Sequence, residues 1–328
     1  MMFSKTNKVV KAVISLAFIA TFSLPFSFSA AGIQATSNTY NQSIASNIDY
    51  NNVIEKYNVD LSNVTFFDIP NKFSYTKLLQ GDYHTCGASK KYICKDNKGN
   101  QFLFKPRNKT SIYLQEAASK VQYLVDPDTY IPVRQANIII GKHKKLGAIQ
   151  PIIKTQSCPD FNDINSLTEQ VLKDLQREFI TDWLLCNYDS HYGNFIRDEK
   201  GRIRGVDKEM AFSEIDKPTA QTMNITHKPS WKLSTSELVY YNMYNKYING
   251  EIDLDLDYVN QYIDKIEKVS DNQYSQIFKK YTDSKFTLKK NSKKLLDKIT
   301  KRKANLKTTY QKFANELKNK RQAKSFAR

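Results

Sequence analysis

An α+β fold in two lobes, sheet-rich first and helical after, is what the sequence predicts. Three observations carry this expectation. Apolar alternation of period two runs from residue 76 to 154 and is broken by a single helical stretch. Helix-period patterns with capping signals dominate from about residue 166 onward. A chain of 328 residues that is 40% hydrophobic can bury a full-sized core.

In chain order, "MMFSKTNKVVK" carries three lysines and no acid, and "AVISLAFIATFSLPFSFSAA" is an apolar run that ends in small residues. This is the layout of a secretory signal peptide over residues 1–31, cut near Ala31 or Ala35. The expected location is therefore secreted, with an uncleaved membrane anchor as the alternative. Residues 32–49 are polar and Asn/Ser-rich, the composition of a flexible leader.

Residues 50–154 form the expected first lobe. "TKLLQGDYH", "KKYICK" and "QFLFKP" read as strands, with a hairpin turn at Asp96 to Gly99. "TSIYLQEAASKVQYLV" follows as a helix with Ile112, Leu114, Ala118, Val121 and Leu124 on one side, and then come the strands "QANIIIG" and "GAIQPII" around a charged turn at Lys142 to Lys145. Residues 155–284 form the expected helical lobe. Ser166 with Glu169 reads as a capping box opening a helix to about Cys186, a hairpin turns at Glu199 to Gly201, and helices fit 235–249 and 255–269. Ser270 with Gln273 caps another.

The net charge of +17 is unevenly placed. Residues 285–328 hold sixteen Lys or Arg against Asp297 and Glu316, the signal adds three lysines, and residues 32–284 sum to zero. Leu288, Leu295, Ile299, Leu306, Tyr310, Phe313 and Leu317 make one apolar stripe on a long basic amphipathic helix. Such a stripe suits an anionic membrane or an acidic partner, or else it docks on the body with the charges as a solvated face. Nucleic acid is disfavoured, since no aromatic stacking platform accompanies the basic residues. Cys86, Cys94, Cys158 and Cys186 have no zinc spacing; export would let them pair, but their low density does not imply a disulfide scaffold.

A glycine-containing loop between strands, a lysine on a later strand and an Asp/Asn loop in a helical lobe are the parts that phosphoryl transfer needs, because that chemistry relies on positioning and charge. Gly87, Ala88 and Ser89 leave backbone N–H groups open to phosphate, although such a triplet is more often a plain turn. Lys105 stands where alternation places it opposite Phe102 and Phe104, in reach of phosphates and of Glu116 on the next helix. Asp189 and Asn194 are five residues apart, the offset that presents a carboxylate to an acceptor hydroxyl and a carboxamide to Mg²⁺. Asp207 ends the returning hairpin strand as a second metal ligand, and His191 is an organiser of the catalytic loop more than a base.

The run "NYDSHYGNFI" with "IRGVDKEMAF" resembles the catalytic loop and downstream metal-binding Asp of the protein-kinase-like superfamily. Within it, "GASKKYICKDNKGNQFLFKP" is similar to the phosphatidylinositol 3-/4-kinase-like branch: type II phosphatidylinositol 4-kinases, with actin-fragmin kinases and HipA-like kinases alongside. The resemblance covers roughly residues 76–215 and implies a two-lobed protein-kinase-like fold. It implies ATP and Mg²⁺ as cofactors, Lys105 on phosphate with Glu116 as its partner, Asp189 as base, and Asn194 and Asp207 on the metal. Lys208 and Glu209 depart from the pattern, as they replace the usual continuation after the metal-binding Asp. The expected activity is transfer of the γ-phosphoryl of ATP to a hydroxyl of a protein or phosphoinositide. AMP transfer on the same fold, and a non-catalytic protein that binds a membrane or acidic partner through residues 285–328, are the alternatives.

Overall fold

The computed structural model describes residues 74–79, 91–95, 101–140, 143–230 and 233–328, all within one compact unit, Ile48–Arg328. The signal peptide, the leader, Cys86 and the Gly87, Ala88 and Ser89 loop lie outside the described residues.

The fold is α+β, as the alternation predicts. Strands β1 (Ser74–Leu79), β2 (Lys91–Lys95), β3 (Gln101–Pro106), β4 (Arg134–Ile140) and β5 (His143–Pro151) form a sheet in the order β1-β2-β3-β5-β4, antiparallel at every step. The charged turn near Lys142 is narrower than the sequence suggests. Ile140 already pairs with His143, because exposed His143 and Lys144 cost nothing on the outer end of a hairpin.

Tyr92, Cys94, Phe102, Phe104, Ala136, Ile138 and Ile149 make a small core on one face of this sheet. Gly147 sits where β5 crosses β3. A Cβ there would stand 2.3 Å from the Lys105 carbonyl oxygen and 2.5 Å from the Phe104 ring, so only glycine lets the strands close at the lysine.

Helix α1 (Lys109–Val125) is capped by Asn108, whose side chain accepts the Ser111 N–H at 2.9 Å. Its apolar side, Leu114 to Val125, joins the large core and not the small one. Helix α2 (Glu169–Leu184) starts two residues later than the predicted capping box. Ser166 ends a short 3-10 turn, and Thr168 is the cap that accepts the Val171 N–H. Strands β6 (Thr155–Gln156), β7 (Phe195–Asp198) and β8 (Ile203–Gly205) make a second small sheet, whose hairpin turns at Gly201 with φ +81°. Helices α3 (Val239–Ile248), α4 (Asn260–Lys268) and α5 (Asp271–Lys285) follow, the last with the predicted Ser270–Gln273 capping box.

The C-terminal segment corrects one expectation. It is two helices, α6 (Lys289–Ala304) and α7 (Leu306–Phe326), broken at Asn305, and its stripe faces inward. Leu295, Ile299, Leu306, Tyr310, Phe313 and Leu317 are all buried in the large core, and only Leu288 is exposed. Arg302 is fully buried, donates to the carbonyls of Trp183 and Ala220, and lies 4.1 Å over the Trp183 ring. Lys303 pairs with Asp271, Lys307 with Asp264 and Glu267, and Arg321 with Asp253. The stripe is thus spent on the body, because burying six large apolar side chains intramolecularly outweighs a contact that waits for a membrane. Among the described residues no helix is long and apolar enough to cross a membrane. Cys94, Cys158 and Cys186 are free thiols.

Candidate active site

Lys105 reaches the site because β3 is an interior strand with Phe102 and Phe104 packed in the small core on its opposite face. Its side chain is buried, and Nζ stands 3.2 Å from Asp207 Oδ1 and 4.0 Å from Glu209 Oε1. Asp207 comes from the far lobe, two residues past β8. Its φ of +55° is left-handed, a conformation that a non-glycine residue holds only where its surroundings enforce it. Burial opposes ionisation of Asp207, but Lys105, with Lys91 and Arg107 behind it, holds the carboxyl below the usual carboxylate range.

The loop at 186–194 is held to the same place. Cys186 at φ +48° turns the chain out of α2, and the Asn187 N–H donates to the Asp182 carbonyl. Asn194 Nδ2 donates to the Asp189 carbonyl at 2.7 Å, which closes the five-residue loop, and the Asn194 carbonyl accepts the Val206 N–H at 2.8 Å. That last bond ties the asparagine to the residue before Asp207. His191 organises the turn. Its Nδ1 accepts the Gly193 N–H at 3.1 Å, and its Nε2 lies 3.6 Å from Asp189 Oδ1. Burial chiefly pushes the Asp189 carboxyl above its usual range; His191 and Asn194 oppose this, while Asp207 and Asp182 add to it. Asn194, bonded to Asp189 on one side and to Val206 on the other, is what ties the two carboxylate-bearing segments together.

The oxygens present fit a hard cation. Asp189 Oδ1 and Asp207 Oδ1 are buried without an aligned hydrogen-bond donor, even though the Lys105 ammonium is close to the latter. Asp207 and Asn194 together offer the few protein oxygens that Mg²⁺ takes when phosphates complete its shell. No group of three His, Cys, Asp or Glu that could hold a metal unaided is found among the described residues.

The expected Lys105–Glu116 pair is not formed. Glu116 accepts the backbone N–H of Gln135 at 2.6 Å, and its charged surroundings are Lys280, Lys120 and Arg134. Burial raises its pKa. The reason is helical phase: Gln115, Ala118, Ser119 and Gln122 line the cavity beside Asp207, which puts Glu116 about 100° round α1, toward β4. Glu116→Ala should therefore cost about 1 kcal/mol of stability for the lost acceptor. It should shift nucleotide affinity by less than about 0.5 kcal/mol. A thermal melt and a MgATP titration check the two halves separately.

Several residues escaped sequence reading. Lys208, one past Asp207, is buried with Nζ 2.7 Å from Asp182 Oδ1 and 3.8 Å from Glu178 Oε2. Asp182 also accepts from Asn187 Nδ2 at 2.9 Å and from the Tyr240 hydroxyl at 2.7 Å. One carboxylate on α2 thus grips both loops that carry the site. A charged residue inside the otherwise apolar "FITDWLL" was the available signal. Gly205 makes room for this anchor, since a Cβ there would stand 2.4 Å from both Glu178 Oε2 and Lys208 Nζ.

A helix-backed antiparallel sheet thus delivers a lysine to an aspartate from the helical part of an α+β fold. No known family model and no curated protein matches the sequence. Among solved structures the chain is similar to the proinflammatory kinase CtkA of Helicobacter pylori, at 13% identity and a TM-score of 0.43, over 73% of this chain and 93% of that one. A MAP kinase from Leishmania major is similar at 10% identity and a TM-score of 0.29, over 79% and 86%. An N-terminal fragment of LepB from Legionella pneumophila follows at 13% and 0.30, over 65% and 46%. None of the three reaches a TM-score of 0.5, and the case for the chemistry rests on the side chains of this chain.

Proposed function

We propose that the chain is a Mg²⁺-dependent phosphotransferase that moves the γ-phosphoryl of ATP to an alcohol. The observation that carries this reading is the meeting of Lys105 Nζ and the buried Asp207 Oδ1 at 3.2 Å, in a site that also holds Asp189, whose buried Oδ1 has no aligned hydrogen-bond donor. Lys105 would hold phosphate oxygens, and Asp207 and Asn194 would hold the metal. When bound, Mg²⁺ offsets charge on the phosphates and the leaving group. Asp189 would orient the acceptor hydroxyl and take its proton as the acceptor oxygen bonds to the γ-phosphorus. The bond from that phosphorus to the β-phosphate oxygen breaks, and ADP leaves.

The acceptor we favour is a protein hydroxyl. The argument for a phosphoinositide leaned on an amphipathic segment laid on a membrane, and the apolar stripe such a contact would use is buried in the body. Membership of the phosphatidylinositol 3-/4-kinase-like branch rests on the motif resemblance alone. Export rests on the signal layout of residues 1–31, and amino-terminal sequencing of the mature chain reads whether cleavage occurs near Ala31 or Ala35.

Incubation with Mg²⁺ and γ-labelled ATP, offering protein acceptors and phosphoinositide vesicles in parallel, tests the reading. ADP and labelled protein are expected. AMP with pyrophosphate would move the chain to nucleotidyl transfer, and labelled vesicles alone would restore the lipid acceptor.

A further inference from the structure

Arg107, just past β3, and Glu209, two residues past Asp207, are joined beside Lys105. Arg107 follows Lys105 by two positions, so strand alternation puts both side chains on one face of the sheet. Its Nε donates to both oxygens of Glu209 at 2.9 Å. Glu209 in turn lies 4.0 Å from Lys105 Nζ, and the two partners remain about one-fifth exposed, within reach of a ligand in the cleft. Lys91, Lys105 and Arg107 all act on Asp207, so three cations surround two carboxylates.

We infer that Arg107 is a phosphate-binding residue of the nucleotide site and that Glu209 is an anion holding its place until the nucleotide arrives. This rests on the proposed function. The physical argument is charge balance. Asp207 is the carboxylate placed to take a metal, and doing so withdraws it from Lys105, while Glu209 has nothing to offer an incoming polyphosphate but repulsion. A planar guanidinium whose Nε–H already donates to a carboxylate suits phosphate oxygens equally well. The pair joins the end of β3 to the segment after Asp207, so exchanging carboxylate for phosphate would also release one from the other.

An ion pair kept for structure and one kept for ligand exchange differ in a sign. If the pair is structural, removing either partner weakens nucleotide binding. If Glu209 holds a phosphate's place, Arg107→Met weakens binding and Glu209→Gln tightens it. The experiment is calorimetric titration of the full chain and of both variants with MgATP and with magnesium tripolyphosphate at fixed ionic strength, with a thermal melt of each protein. Loss of one charge-assisted contact predicts about 10- to 100-fold weaker MgATP binding in Arg107→Met. Glu209→Gln should bind both probes several-fold more tightly than the natural chain. Tripolyphosphate should follow the same signs, because the contact is to phosphate and not to the base. Arg107→Lys should recover part of the affinity. Weaker binding by Glu209→Gln in a protein that melts normally overturns the inference and leaves the proposed function standing. A natural chain that binds neither probe overturns both.

Discussion

Asp207→Asn should reduce phosphoryl transfer by about three orders of magnitude or more, since it removes the charge that would hold a metal and the partner of Lys105. Asparagine is the informative substitute. It tolerates the left-handed backbone that Asp207 adopts, so the loop keeps its path and the loss reports chemistry. Asp189→Asn should cost about 10²- to 10⁴-fold, the usual range for a positioned general base. The pH profile separates the two roles. Because burial raises the Asp189 pKa, the natural chain should lose kcat/KM as pH falls through a value above the ordinary aspartate range. The residual rate of Asp189→Asn should lack that limb. Single-turnover rates of both variants across pH, with circular dichroism to confirm folding, provide the measurement. Undiminished transfer by Asp207→Asn would defeat the assignment.

Arg177→Met should be the most damaging substitution for stability, at about 3–5 kcal/mol. Arg177 is fully buried on α2, and its guanidinium contacts Asp126 at 3.1 Å, Asp174 at 2.7 Å, Glu178 at 3.1 Å and the Ile203 carbonyl. Methionine fills the volume but leaves carboxylates from α1 and α2 without their common counter-charge. Asp126 fixes the pH dependence. Burial works against its ionised form, yet Arg177, the Asp128 N–H and Arg202 hold its pKa below the unfolded value. A depressed acid stabilises the fold above its unfolded pKa, and that contribution is lost as pH falls through the folded one. The natural chain should therefore lose stability toward acid pH, and Arg177→Met should lose less of it there. Urea unfolding at neutral and acid pH checks both statements.

How much of this was legible in the sequence differs between strands and loops. β2 and β3 were readable because a period of two leaves one face for Phe102 and Phe104 and the other for Lys105. The five-residue offset of Asp189 and Asn194 and the later Asp207 marked the candidate site, because short loops fix spacing in the chain. Glu116 misled because a helix turns 100° per residue, and neighbours Gln115 and Glu116 face different elements. Lys208 and Glu209 were visible as departures from a pattern, yet their roles needed α2 and β3 in place. Nothing local says that a lysine will reach Asp182, 26 residues back. The apolar stripe of the C-terminal segment was correct in every member but Leu288. What it faces is a long-range property, which periodicity does not encode.

The inward turn of α6 and α7 changes what shortening the chain can reveal. A protein ending before Lys289 would uncover the floor beneath Trp183, Phe179 and Tyr244 and strip Arg302 from the end of the helix that carries Asp182. Its inactivity would speak of a collapsed scaffold, so the terminal segment behaves as the keel of the helical body and not as a detachable address label.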